Sequence, residues 1–187
     1  MITRVSRIIE KWARPGGDEA HLIYSNIAAA ARRPEFYLNY EVEDTLDGRF
    51  DTLTLMVVLV IHRLNKAGSA GKELAQEVID MMFADMDLSL HEIGVSENKV
   101  GKKVKTMATA FLGRMNAYSA AIDREDEVEL AAALRRNLYR DNGTDPAKNG
   151  LVEAVLAQVR RLAAISDADL MDGSASMEFD LSAEGRK

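Results

Sequence analysis

The sequence predicts an all-α fold: a single-domain bundle of about seven helices around a central apolar helix. Three observations predict it. Apolar residues recur at helical spacing in segment after segment. Prolines, glycines and N-capping residue types fall between these segments, where helices should stop and start. The run Val57-Val58-Leu59-Val60-Ile61 could be a buried strand, but no hairpin turn or second strand pattern sits nearby to pair with it.

The elements follow in order. Val5, Ile8, Ile9 and Trp12 open the chain as a short amphipathic helix, which Pro15-Gly16-Gly17 ends. Asp18 is a candidate N-cap for a helix with Ile23, Ile27, Ala30 and Ala31 on one face. Pro34 disfavours helical geometry at Arg33 and stops it. Glu35 to Gly48 reads as a structured connection, mixing Phe36, Tyr37 and Tyr40 with Glu41, Glu43, Asp44 and Asp47. Phe50 to Leu64 is read as a helix; being apolar nearly all round, it should be the central one.

Ala67-Gly68-Ser69 breaks the chain. Leu74, Val78, Met81, Met82, Met86 and Leu90 mark the next helix, with Gly94 as its C′ residue. Ser96 is a candidate N-cap for a helix carrying Val100, Val104, Met107, Phe111, Met115 and Tyr118 on one face. Asp123 to Tyr139 is helical through Val128, Leu130, Ala131, Leu134 and Leu138. Asn142-Gly143 turns the chain, and Asp145-Pro146 pairs an N-cap with a proline at the first helical position. Leu151, Val152, Val155, Leu156, Val159 and Leu162 continue that helix. From Asp172 the sequence is rich in Gly, Ser, Ala and acids. The expected organisation is therefore one helical domain over 1–171 and a loose tail over 172–187.

Composition narrows the function. With no cysteine, disulfides, thiolate metal sites and cysteine nucleophiles are excluded. A net charge of −6 argues against a DNA partner or a general nucleic-acid binder. Arg4, Arg7, Glu10 and Lys11 interrupt any apolar stretch at the N-terminus, which therefore does not read as a secretory signal. The most apolar stretch, Leu53 to Ile61, is far short of the ~20 residues of a membrane span. A soluble, cytoplasmic protein is expected.

The search for chemistry finds little. His21, His62 and His91 form no HExxH pair, because Val95 stands where His91-Glu92 would need a second histidine. His62, at the end of the apolar helix, is the one histidine to consider for haem ligation. No nucleophile elbow, P-loop or dinucleotide fingerprint is present. Asp85 and Asp87 stand at i and i+2 on a helix and so should not share a site. No enzyme activity, cofactor or metal is expected.

Three features carry two readings each. The Asp47-Gly48-Arg49-Phe50-Asp51 segment is either a helix start, with a carboxylate capping, Gly48 easing the turn and Phe50 entering the core, or the mount for Arg49 as an exposed partner anchor. Lys99, Lys102 and Lys103 share one helix face, with Lys105 to the side. That patch is either a solvated face or a docking surface for anionic lipid headgroups or ribosomal RNA. The nine methionines either fill the core or offer an adaptable surface for apolar helices.

Two ordered blocks carry a family resemblance. The first is Ala31-Arg-Arg-Pro-Glu-Phe-Tyr37, then Asp44-Thr-Leu-Asp-Gly-Arg-Phe-Asp51 and the apolar helix ending His62-Arg63-Leu64. The second is Met82-Phe-Ala-Asp-Met-Asp-Leu-Ser-Leu90, Glu92-Ile-Gly-Val95, Val100-Gly-Lys-Lys-Val-Lys-Thr-Met107 and Phe111-Leu-Gly-Arg114. In this order, from about Tyr24 to Tyr139, they resemble the ubiquinol–cytochrome c chaperone family. The resemblance implies an all-helical assembly chaperone for the cytochrome bc complex that binds newly made cytochrome b. A haem-handling or general helix-binding protein is the alternative. It also implies the partners: cytochrome b or its assembly intermediates, and the ribosome or an anionic inner-membrane surface met peripherally through Lys99–Lys105. The implied contact residues are Tyr37, Asp47, Arg49, Phe50, Asp51, Asp85, Asp87, Lys102, Lys103 and Arg114. The chain departs from the family at two loops. Tyr40-Glu-Val-Glu43 replaces a Gly-Val-Pro type turn, and Ser96-Glu97-Asn98-Lys99 has no glycine.

Overall fold

In the computed structural model, which describes residues 17–175, the apolar run lies inside a helix, α3 (Leu46–Leu64). Every residue from Phe50 to Ile61 is buried. Its β-branched residues favour strands, but local propensity is overruled here. A helix satisfies its own backbone amides and carbonyls, and so can be surrounded by apolar side chains on all sides. Thr52 adapts to that setting by donating its hydroxyl to the Gly48 carbonyl one turn back, at 2.9 Å.

Seven further helices occur among the described residues: α1 (Asp18–Ala31), α2 (Glu35–Leu38), α4 (Gly68–Glu92), α5 (Glu97–Asp123), α6 (Glu127–Asn137), α7 (Leu151–Ala164) and α8 (Asp167–Met171). No strand is found among the same residues. The all-α expectation holds, and α3 is the central helix, touching α1, α4, α5, α7 and α8. No helix among the described residues is long and apolar enough to cross a membrane. The expected opening helix around Val5 to Trp12 lies outside the described residues.

Boundaries follow the local signals in several places. α1 stops at Ala31 before Pro34, and Gly94, with φ +80°, closes α4 as its C′ residue. Ser96 occupies the N-cap of α5, although its hydroxyl donates to the Asn98 side chain instead of accepting from the backbone. The loop before Val100 needs no glycine of its own, because Glu97 to Lys99 are already helical and Gly94 makes the turn.

Several boundaries differ from expectation: α3 itself begins at Leu46, ahead of Phe50, because Thr45 caps it. The helix sought over Asp123 to Tyr139 begins at Glu127, because α5 runs on to Asp123 and Asp126 then caps α6 through the Glu129 amide at 2.9 Å. Residues 146–150 are turns, and α7 starts only at Leu151. Two features break the helix there. The Asn149 side chain is drawn inward, where its amide donates to the Tyr40 carbonyl and the Tyr139 hydroxyl, both at 2.9 Å. Gly150 then takes φ +82°, which no right-handed helix accommodates. The short α8 carries no extended apolar pattern. It is held by its Ser166 cap and by Arg63, whose guanidinium reaches the Leu162 and Ile165 carbonyls and Asp167.

Candidate functional site

The N-terminal turn of α3 is built by a tight loop. Phe36 and Tyr40 anchor it in the core, and the Val42 amide donates back to the Phe36 carbonyl at 3.1 Å. Glu41 sits between them with φ 58°, a left-handed conformation that glycine adopts at no cost. A non-glycine residue at this position is accommodated at the cost of local backbone strain. The cap of α3 is Thr45, which accepts from the Gly48 amide at 3.1 Å. The expectation that a carboxylate caps this helix is corrected, because the Asp47 carboxylate faces Arg140 at 2.7 Å. Gly48 does not ease a turn either, since its φ is not positive. It is required because a Cβ there would lie 2.0 Å from the Glu43 carbonyl oxygen.

Asp51, with 0% side-chain exposure, lies one turn below. Its carboxylate meets Arg114 of α5 at 2.7 Å and Arg140 at 3.0 Å. Burial pushes its carboxyl up to about 6, against the pull of the two guanidiniums. Arg114 also reaches the Asn137 carbonyl, and its guanidinium lies 5.8 Å from the centre of the Phe50 ring. Arg114, Asp47 and Asp51 are therefore paired inside the protein and clasp α3, α5 and the turn after α6 together. Arg140 is the residue that sequence reasoning missed. The only signal for it was that Asp47 and Asp51, at i and i+4, share a face that wants a cation.

Above this clasp an open groove of about 560 Å³ runs between the start of α3, the end of α4 and the first half of α5. Phe50, Met86, Leu90 and Met107 supply its apolar lining, and Lys99, Lys102 and Lys103 its basic side. A second chamber of about 250 Å³ shares Leu46, Phe50, Met86 and Ser89 with it and extends to Tyr37, Arg49 and Ile93. Leu46 (49% exposed) and Ile93 (58%) leave apolar surface in water at this place. Arg49 stays at the rim, paired with Asp44 at 2.7 Å; that pairing holds the Asp44 carboxyl below the usual carboxylate range. A larger open depression of about 820 Å³, between residues 38–41 and 142–149, is lined mainly by polar side chains and contains none of the ten residues singled out above.

The structure thus brings Asp47, Phe50, Lys102, Lys103 and Arg114 to one groove, Tyr37 and Arg49 to the chamber beside it, and Asp51 beneath. Asp85 and Asp87 are elsewhere and, as their spacing implied, do not share a partner. Asp85 accepts from the Tyr24 hydroxyl at 2.6 Å, tying α4 to α1. Asp87 faces His91 at 3.5 Å on its own helix. His62, the haem candidate, places its Nε2 2.9 Å from Asp123 and is nearly buried. Among the described residues, no three His, Asp or Glu side chains converge in a way that would hold a metal ion.

Residues 38–179 match the family model described as ubiquinol-cytochrome C chaperone. The chain belongs to that family. The match begins after the Ala31–Tyr37 motif and runs through α7 and α8, beyond the motifs that end near Tyr139. Among similar proteins, ubiquinol-cytochrome-c reductase complex assembly factor 1 of Xenopus laevis is 30% identical over 138 residues, covering 73% of this chain and 68% of that protein. The Mus musculus protein of that name is 26% identical over 150 residues, covering 80% of this chain and 50% of its own length. The chain thus spans about two thirds of the frog protein and half of the mouse one. A crystal structure of the Cbp3 homolog from Brucella abortus superposes with a TM-score of 0.79 at 37% identity, covering 98% of this chain and 99% of that one. For this ubiquinol–cytochrome c chaperone family member, all of α3 to α8 falls within the matched segment, which begins at the last residue of α2. The groove does too, and of the second chamber only Ala28, Ala31, Arg32 and Tyr37 fall outside it.

Proposed function

We propose that this chain is an assembly chaperone for the cytochrome bc complex, and that its groove holds newly made cytochrome b until the complex accepts it. One observation carries the reading: apolar side chains, half-exposed Leu46 among them, and lysines meet in one open trough on the helical core. The names borne by the relatives, assembly factors of ubiquinol-cytochrome c reductase, support the same direction. The chemistry needed is holding, with no bond made or broken. Apolar helices of a membrane protein aggregate in water, and a groove lined by Met86 and Met107 can repack around varied side chains. The client is a membrane protein, so the chaperone works at the inner-membrane face.

Tagged protein should recover cytochrome b or its assembly intermediates from cells, and photo-crosslinkers at Arg49 and Lys102 should capture them. Leu46→Asp is the sharper variant. Leu46 is half-exposed and lies in the first turn of α3, where an acid suits the helix dipole, so folding should survive. Capture should fall by about 10-fold, the cost of putting a charge on an apolar contact. Normal complex III levels in a strain lacking the protein would count heavily against the proposal.

A further inference from the structure

The groove carries an imbalance of charge. Lys99, Lys102 and Lys103 project along it at i, i+3 and i+4 of α5, and all three are exposed. Among the described residues, no carboxylate stands at ion-pair distance from any of them. This occurs in a chain with 30 acidic residues and a net charge of −6, where a surface lysine finds acids in abundance. The other cations of the groove are already matched: Arg114 by Asp51, and Arg140 by Asp47 and Asp51. Asp47 lines the groove too, but Arg140 occupies its carboxylate. The lysines therefore present an unneutralised positive field directly beside an apolar floor of Phe50, Met86 and Met107.

From this juxtaposition we infer that the groove selects apolar segments that carry an acidic side chain at one end, with the carboxylate seated over Lys102 and Lys103 and the apolar stretch over Phe50 and Met86. The inference rests on the groove being the client site and adds what that site reads. The two methionines are adaptable and give little discrimination among apolar sequences. Discrimination then falls to charge, which attracts one flank and repels the other. A segment flanked by lysine or arginine meets like charge and is rejected. Each exposed pair contributes modestly, so two lysines acting together correspond to about a 10-fold preference. Salt should erode it, because the charges face water.

The test uses the full chain and fluorescein-labelled synthetic peptides with one Leu/Phe-rich core, ending in Asp-Glu, Gln-Gln or Lys-Lys, read by fluorescence anisotropy. The acidic peptide should bind about 10-fold tighter than the basic one at low salt, with the neutral peptide between. Lys102→Glu/Lys103→Glu should invert that order, and Lys102→Arg/Lys103→Arg should keep it. Circular dichroism confirms that each variant is folded. Equal affinities, or an order that survives the charge reversal, would overturn the inference. So would lysine-dependent binding to phosphatidylglycerol vesicles with no peptide discrimination, which would assign the patch to a lipid surface. Recovery of cytochrome b alongside equal peptide affinities would leave the assembly reading standing and remove only this one.

Discussion

Gly48→Ala tests how tightly the groove wall is built. Alanine is the better helix former by about 1 kcal/mol, so propensity alone predicts a more stable protein. The structure predicts the reverse. The new Cβ would lie 2.0 Å from the Glu43 carbonyl oxygen and 3.1 Å from its carbon, and both are backbone. Relief needs a shift of about 1 Å in the loop or the helix, and overpacking of this kind costs ~1–3 kcal/mol. The same shift pulls on Thr45, whose amide donates to the Glu43 carbonyl and whose hydroxyl caps α3; a weakened cap adds about 1 kcal/mol. The net expectation is a loss of about 2 kcal/mol, or a melting point lower by roughly 6 °C for a chain of this size. Gly113→Ala is the internal control. Gly113 is exposed on α5 and a Cβ there meets nothing within 4 Å, so this change should stabilise by about 0.5–1 kcal/mol. Urea and thermal unfolding followed by circular dichroism would measure both. If Gly48→Ala matched Gly113→Ala in sign, the close-approach argument would be wrong.

Other expectations follow from the same contacts. The Asp51 carboxyl, raised from 3.8 to about 6, contributes stability that is fully present below 3.8 and lost as pH rises through 6. Asp51→Asn lacks that titration, so between pH 4 and 7 the wild type should lose about 2 kcal/mol relative to the variant; the opposite slope would mean that Arg114 and Arg140 outweigh burial. Asn149→Ala should cost about 2–4 kcal/mol in urea titrations, because it removes two buried bonds and leaves the Leu151 amide without its Oδ1 partner at 3.1 Å. Glu41→Gly should gain about 0.5 kcal/mol by relieving a φ of 58° at an exposed position, and a lower melting point would refute that.

Much of the site was legible residue by residue, and much of its logic was not. The lysine patch and Phe50 were identified by helical spacing and by the ordered motifs, and they do line one groove. Asp85 came from the same motifs yet serves to tie α4 to α1 through Tyr24. A motif marks which residues travel together, not whether they face solvent or a neighbouring helix. Gly48 was read as a turn residue because glycine commonly signals one, whereas its cause is a carbonyl five positions earlier. The start of α7 was misplaced because Asp145-Pro146 is a sound local signal that a distant contact, Asn149 with Tyr40, overrides.

What the sequence by itself determined was the set of long helices and the burial of α3. Both follow from periodicity within a dozen residues, and an apolar helix in water has nowhere to go but the centre. Only the tertiary structure decided which charges find each other. Asp51 and Arg140 are 89 residues apart, and no local pattern pairs them. The same packing leaves Lys99, Lys102 and Lys103 without a carboxylate among the described residues, and so decides that the groove beside Phe50 is positive. Ion pairing depends on distances of a few ångströms between helices, and those distances exist only once the core has set how the helices cross.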